Sequence, residues 1–212
     1  MEKSREEGWS LLTEFVSTET LRRHCLAVET AMRAYARHFG ESEDAWGLVG
    51  LIHDFDYERH PTLDLHPEAG VPILKERGYP EWIIRAIRSH AEHLNVSRDS
   101  QLERTLYAVD ELTGFIAAVA LVRPSRAVAD VTASAVRKKM KDKAFARAVD
   151  RETMIESADD LGVDFDRHVE FVIAAMADNA VQLGLAGSDH PNANVVARAG
   201  MPCATLTGQD NE

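Results

Sequence analysis

Hydrophobic residues recur along most of the chain at spacings of three, four and seven, the pattern of helices that each bury one face. No stretch alternates with period two for long enough to predict a strand. The pattern therefore predicts an all-α protein in which the apolar stripes pack as a helical bundle. The periodicity ends at Gly184, and the following residues are small, polar and aperiodic. We predict one helical domain over residues 1–184 and a flexible or extended tail over residues 185–212.

Cap and turn residues divide this pattern into separate helices. Ser42 is a predicted N-cap, and Ser100 with Glu103 fits a capping box. Glycines suited to ending helices follow several apolar stripes, and aspartates suited to starting them precede others. These residues are Gly40, Gly78, Gly162, Gly184, Asp150 and Asp164. The predicted helices include one opening at Pro67 and one from Trp82 to about His93, which places His90 and His93 on one face. Later helices are predicted at about 126–136, 141–149, 151–160 and 164–183.

Four polar side chains fall on or at the end of inward-facing helical stripes. His24 and Asp110 interrupt the stripes of two separate helices, and His53 and Asp54 come where a third apolar run ends. A buried carboxylate without a partner costs several kcal/mol. A divalent cation bound between the four side chains would satisfy all of them. The alternative is a buried His–Asp hydrogen-bond network without metal.

Composition narrows the classes of function. Acidic residues outnumber basic ones 35 to 24, and the net charge of −11 provides no general attraction for nucleic acid or anionic membranes. The two cysteines belong to no regular framework, and no apolar run approaches the ~18 residues of a membrane span. These features predict a cytoplasmic protein without a membrane partner. They leave homo-oligomer formation open.

Residues 110–115, 122–125 and 138–145 are similar to segments of small bacterial HD-domain proteins. The order His24, His53–Asp54 and distant Asp110 resembles the wider HD superfamily of metal-dependent phosphohydrolases. The resemblance implies that these four side chains hold a divalent ion in the core of an HD-like helical bundle. The segment from His66 to Gly70 and the segment from Ser89 to His93 are similar to those that supply further histidines in two-metal members. The resemblance thus implies His66 and His90 as ligands of a second ion. Alternatively, His66 caps a helix, and His90 or His93 is a surface or substrate-contacting residue.

This resemblance implies a phosphohydrolase that acts on a small phosphoester or nucleotide-like substrate through a metal-activated water. Asp54 would bridge or orient, while His93 or Glu58, both near the motif, would protonate the leaving group. The nitrogen and oxygen donors suit one or two ions of Mn²⁺, Fe²⁺, Co²⁺, Ni²⁺ or Zn²⁺. Alternatives are a di-iron oxygenase on the same scaffold and a metal-free helical interaction module. The sequence identifies no substrate-binding residues, and we interpret the basic run at Lys138–Lys143 as a solvated face rather than a phosphate site.

Overall fold

The computed structural model describes residues 3–187, which fold as ten α-helices and two short 3₁₀ turns, at Glu92–Leu94 and Val128–Asp130. No β-strand forms among these residues, and the one isolated bridge joins Ala127 to Ala186. The predicted all-α class is therefore confirmed. The helices are α1 (Arg5–Phe15), α2 (Glu19–Phe39), α3 (Glu43–Ile52), α4 (Val71–Glu76), α5 (Glu81–His90), α6 (Gln101–Leu121), α7 (Ala133–Met140), α8 (Arg151–Leu161), α9 (Phe165–Asp178) and α10 (Ala180–Leu183).

Local sequence signals set most of the helix ends. The Ser42 hydroxyl accepts a hydrogen bond from the Ala45 amide at the start of α3, and Ser100 and Glu103 form the predicted capping box of α6. Asp150 and Asp164 cap α8 and α9 through their carboxylates. Gly40 ends α2 at φ 73°, a left-handed conformation that a glycine adopts without steric cost.

Helix α2 lies at the centre of the bundle, where it contacts α3, α6 and α9. The buried apolar residues form one cluster that runs from Leu11 on α1 to Leu185 beyond α10. Helices α2 and α3 approach closely because residue 50 is glycine. A Cβ atom there would lie 3.0 Å from the Cα and amide nitrogen of Glu29. The end of α3, which carries His53, is therefore held against α2.

A buried histidine connects α9 to the centre of the bundle. The Tyr35 hydroxyl on α2 lies 2.5 Å from His168 Nδ1, and His168 Nε2 lies 3.0 Å from the Ala108 carbonyl oxygen on α6. The carbonyl can only accept, so Nε2 donates to it and Nδ1 accepts from the tyrosine. Burial lowers the pKa of His168, which favours this neutral form.

The helix predicted to reach His93 is shorter. Helix α5 ends at His90 because Ala91 takes an extended conformation, and His93 lies in the following 3₁₀ turn. The prediction that His90 and His93 share one helical face is therefore wrong. The helix predicted to open at Pro67 begins four residues later, at Val71, after a series of turns.

Two predicted helices of the second half are also wrong. In place of a helix at 126–136, the chain turns at Arg126 with φ 53°, and α7 begins only at Ala133. In place of a helix at 141–149, residues 142–148 form turns. The Arg151 guanidinium holds these turns by donating to the carbonyl oxygens of Phe145 and Val149. The helix predicted at 164–183 is interrupted at Asn179.

The predicted tail over residues 185–212 falls mostly outside the described residues, which end at 187. Its first residues pack on the body of the protein. Leu185 is buried, and its carbonyl oxygen accepts a hydrogen bond of 2.9 Å from the Val128 amide. Within residues 3–187, no helix has both the length and the apolar character needed to cross a membrane.

Candidate metal centre

Five elements bring six histidine and aspartate side chains to one place in the core. His24 comes from α2, His53 directly follows α3, and Asp110 comes from α6. His90 is the last residue of α5. Asp54 follows His53, and His66 lies in the turns before α4. The structure thus brings together the six side chains that the sequence predicted as metal ligands.

The first group of donor atoms surrounds the Nε2 atoms of His24 and His53. Asp110 Oδ1 lies 3.0 Å from the Nε2 atom of His24 and 3.3 Å from that of His53. Asp54 Oδ2 lies 3.7 and 3.5 Å from the same two nitrogens. The donor atoms of His24, His53 and Asp54 all lie within 4.8 Å of one another, and Asp110 lies near the same two nitrogens.

The second group lies on the other side of Asp54. The Nε2 atoms of His66 and His90 are 3.2 Å apart, and Asp54 Oδ1 lies 3.2 Å from the first and 3.4 Å from the second. Asp54 belongs to both groups, since its Oδ2 atom faces the first and its Oδ1 atom faces the second. A carboxylate in this position can bridge two cations.

In three of the imidazoles, the Nδ1 atom donates a hydrogen bond to a neighbouring oxygen. Nδ1 of His53 donates to the Gly50 carbonyl oxygen at 2.8 Å, and Nδ1 of His90 donates to the carbonyl oxygen of Ile87. Nδ1 of His66 donates to Asp56 Oδ1 at 2.9 Å. Such contacts fix the tautomer of metal-binding histidines and direct the Nε2 lone pair inwards.

This arrangement fits metal ions. Ligands at ~2.1 Å from a tetrahedral ion lie roughly 3.4 Å from one another, close to the separations within both groups. Nε2 of His53 is buried and makes no hydrogen bond of good geometry with any described residue, although Asp110 lies near it. The facing Nε2 lone pairs of His66 and His90 would repel each other without a proton or cation between them. A metal ion accounts for both features, whereas a metal-free network requires protons on these nitrogens.

The two aspartates are strong anionic ligands. Burial alone would raise the pKa of Asp54, but the charge of His53 and the hydrogen bonds from His66 and His90 outweigh it and hold this pKa well below its usual value. The pKa of Asp110 is likewise lowered, because His53 and His24 outweigh the effect of burial. Both carboxylates therefore stay ionised at any physiological pH.

The same contacts raise the pKa values of the histidines. Burial lowers the pKa of His53, but Asp54 and Asp110 outweigh it and raise the pKa to about 9. The pKa of His66 rises to about 10, because Asp54 and Asp56 outweigh burial. Without metal these imidazoles bind protons at neutral pH, and a metal ion must displace the protons when it binds.

Asp56 is a functional candidate that the sequence analysis missed. Its side chain is fully buried, and its contact with His66 orients that imidazole towards Asp54. Gly70 allows this close packing, because a Cβ atom there would lie 3.0 Å from Asp56 Cγ. The position of Asp56, two residues after Asp54, was the one available signal. Tyr57 also borders the site, with its ring centroid 5.1 Å from that of His66.

The two predicted proton donors lie in different surroundings. His93 is exposed in the 3₁₀ turn that follows His90. Glu58 instead accepts hydrogen bonds from the backbone amides and hydroxyl groups of Ser17 and Thr18. Burial is the largest single influence and raises the pKa of Glu58, but the four donors together outweigh it and lower this pKa to about 2.

The basic run at Lys138–Lys143 lies at the end of α7 and in the turns that follow. Lys139 is 3.8 Å from Asp142 and lies over the Phe145 ring, while Lys138 and Lys141 are exposed. These positions agree with a solvated face.

Comparison with protein families gives one match, to the HD domain over residues 21–114. The matched segment contains all six of the converging side chains, from His24 to Asp110. Comparison with curated proteins and comparison with solved structures each gave no match. The helical fold, the buried cluster of histidines and aspartates, and the family match agree with one another. The chain carries an HD domain over residues 21–114, with a candidate metal centre in its core.

Proposed function

We propose that the protein is a phosphohydrolase that uses two divalent metal ions, bridged by Asp54, to hydrolyse a small phosphoester or nucleotide-like substrate. An HD domain with a cluster of histidines and aspartates suggests metal-dependent phosphohydrolase activity. One observation carries the two-ion proposal. The two carboxylate oxygens of Asp54 face different pairs of imidazoles.

In this proposal His24, His53 and Asp110 would hold one ion, His66 and His90 would hold the other, and Asp54 would serve both sites. Ions bound there would lower the pKa of water and neutralise charge on the phosphate. The protein keeps its ligands in place through the Nδ1 contacts to Gly50, Ile87 and Asp56. Imidazole and carboxylate donors suit Mn²⁺, Fe²⁺, Co²⁺, Ni²⁺ or Zn²⁺.

His93 is the proposed donor of a proton to the leaving group. It lies three residues beyond His90, and its exposure lets it contact a substrate that arrives from solvent. Histidine is the side chain that most often transfers protons in catalysis. The role is assigned from this position alone.

Glu58 fits an anchoring role better than proton transfer. A carboxylate with a pKa of about 2 is ionised at neutral pH and has no proton to donate. Its hydrogen bonds to Ser17 and Thr18 join the segment that carries Asp54 to the start of α2, which carries His24. We therefore propose that Glu58 sets the spacing between two ligand-bearing segments.

Replacement of Asp54 by alanine tests the proposal. Metal content is measured on protein purified without added metal, and hydrolysis of a generic phosphoester is measured with Mn²⁺ present. Asp54→Ala should lose bound metal and hydrolysis while circular dichroism stays helical, because only the first turn after α3 is altered. Asp64→Ala, in the exposed loop before His66, is the matched control and should behave as wild type.

The possible outcomes separate the candidate functions. Wild-type hydrolysis by metal-replete Asp54→Ala protein would contradict the proposed site. Iron as the bound metal, with oxygen consumption and no phosphoester hydrolysis, would instead indicate the oxygenase. A wild-type protein that contains no metal and takes up none would indicate the interaction module.

Replacement of single histidines tests the number of ions. His66→Ala and His90→Ala should each reduce the ion count from two towards one, because both contribute only to the second group. His24→Ala should instead weaken the first site. One ion in the wild-type protein, unchanged by His66→Ala, would leave a mononuclear mechanism.

A further inference from the structure

A polar cavity of about 400 Å³ lies between the start of α1, the middle of α2 and the region of α10. This volume is within the range of small-molecule sites. Glu29, in the cavity wall, is five residues beyond His24 on α2, which places it about 140° around the helix from the metal ligand. The cavity is therefore separate from the metal centre. The residues used below are Arg5, Glu29, Arg33, Arg37, Asn179 and Gln182.

Three guanidinium groups and one carboxylate, that of Glu29, line the cavity. Arg33 and Arg37 also pair with Asp44 and Glu43, which do not line it. Asn179 and Gln182 add amide groups that can donate hydrogen bonds. This concentration of arginine is notable in a chain whose net charge is −11. Such a site attracts an anion when Asp44 and Glu43 release Arg33 and Arg37, whereas the protein as a whole repels one.

Glu29 holds two of the arginines in fixed orientations. Its side chain is only 5% exposed, and it accepts hydrogen bonds from Arg5 Nε at 2.6 Å, Arg5 Nη2 at 2.8 Å and Arg33 Nε at 3.0 Å. These contacts leave Nη1 of Arg5 and Nη2 of Arg33 without a hydrogen bond to any described residue. Two preoriented guanidinium groups lose less conformational freedom when they bind an anion than mobile ones would.

A glycine on α3 makes room for one of these arginines. A Cβ atom at Gly47 would lie 2.5 Å from Arg33 Nε and 2.8 Å from Arg33 Cγ. Glycine inside a helix destabilises it relative to alanine. Its presence there is explained by the space that the Arg33 side chain needs beside the cavity.

The remaining contacts of these arginines can be exchanged for a ligand. Arg33 Nη1 contacts Asp44, whose side chain is 92% exposed, and Arg37 contacts Glu43 with both side chains about half exposed. Exposed ion pairs are weak, because water competes for both charges. A phosphate group in the cavity could replace these two carboxylates, while the buried Glu29 stays paired.

The geometry points to a binding site for a small phosphate-bearing anion in this cavity, held by Arg5, Arg33 and Arg37. Guanidinium groups match phosphate oxygens with two parallel hydrogen bonds, which favours phosphate over a halide ion. The site does not depend on the proposed hydrolysis, because it shares no residue with the metal centre.

Inorganic phosphate is the probe, titrated by calorimetry into the full chain loaded with its metal and freed of excess metal. A metal centre also binds phosphate, so the same titration is made on Asp54→Ala protein, in which only the arginine site should remain. Arg33→Gln and Arg37→Gln, each made in both backgrounds, should raise the Kd of this second site about tenfold or more. Arg37 is half exposed, so its replacement leaves the fold intact.

Arg85→Gln is the matched control. Arg85 pairs with the buried Glu103 at 2.9 Å, as Arg5 and Arg33 pair with Glu29, but it lies on α5 away from the cavity. Its replacement should leave phosphate binding unchanged. Loss of all phosphate binding in the Asp54→Ala protein would overturn the proposal, as would binding that Arg33→Gln and Arg37→Gln leave unaltered. Equal weakening by Arg85→Gln would also overturn it, since that result indicates a general effect of charge.

Discussion

Replacement of Asp56 by asparagine should weaken the binding of one metal ion and leave the binding of the other unchanged. Asp56 contacts only His66 among the six candidate ligands, through a hydrogen bond of 2.9 Å from Nδ1 to a fully buried carboxylate. Asparagine keeps an oxygen that can accept this bond, so the imidazole keeps its tautomer and orientation. The change removes the negative charge alone.

The magnitude follows from the hydrogen bond that changes. A bond to a charged acceptor contributes about 1.5–3 kcal/mol, and one to a neutral acceptor about 0.5–1.5 kcal/mol. The loss is therefore about 1–1.5 kcal/mol, which corresponds to roughly five- to twelvefold weaker binding at the site of His66 and His90. Asp56→Ala, which also removes the acceptor, should approach a 100-fold loss.

Stepwise titration with Mn²⁺, with bound ions counted by electron paramagnetic resonance, separates the two affinities. Asp64→Asn is the matched control, since Asp64 lies two residues from His66 in the exposed part of the same loop. Equal weakening of both ions by Asp56→Asn would refute the assignment of Asp56 to one site. Unchanged binding in Asp56→Ala would show that His66 is not a ligand.

Three further predictions concern the surroundings of the site. His93→Ala should lower turnover without changing the number of bound ions, which parallel measurements of rate and metal content would establish. Glu58→Ala should reduce the free energy of unfolding, measured by urea denaturation, by about 0.5–2 kcal/mol, a loss comparable to that of an N-cap side chain. In the metal-free protein, the raised pKa values of His53 and His66 contribute stability that is fully present below about pH 6.5 and is lost as the pH rises through about 9 to 10. Melting temperatures should therefore fall over that range without metal, and a fall of equal size in metal-loaded protein would contradict this account.

Local signals predicted the start of most helices because each signal acts within a few residues. Ser42, Ser100, Asp150 and Asp164 all cap the helices assigned to them. The signals failed where distant parts of the chain decide the conformation. The turns at 142–148 are held by Arg151, and the segment before α7 is held by the hydrogen bond between Val128 and Leu185. No periodicity in the sequence reports such contacts.

The candidate site was predictable in its ligands and less so in its supporting contacts. His24 and Asp110 could be recognised because a polar side chain on an apolar stripe is unusual. Asp56 was missed because it lies beyond the end of α3, outside any periodic apolar pattern in which a polar residue would be conspicuous. Its role depends on a turn that brings His66 back to it, ten residues later. Likewise, the end of α5 at His90 separates His93 from the face on which the sequence placed it.

The hydrogen bond from His168 to the Ala108 carbonyl oxygen crosses the boundary of the matched segment, which ends at residue 114. A chain cut at that boundary would leave the buried Tyr35 hydroxyl and the Ala108 carbonyl without their shared partner. It would also expose the part of the core that α9 covers through Val169 and Val172. We therefore expect that residues 21–114, although they match one family, do not fold stably on their own. Any exchange of this segment between proteins would have to carry an equivalent of α9 with it.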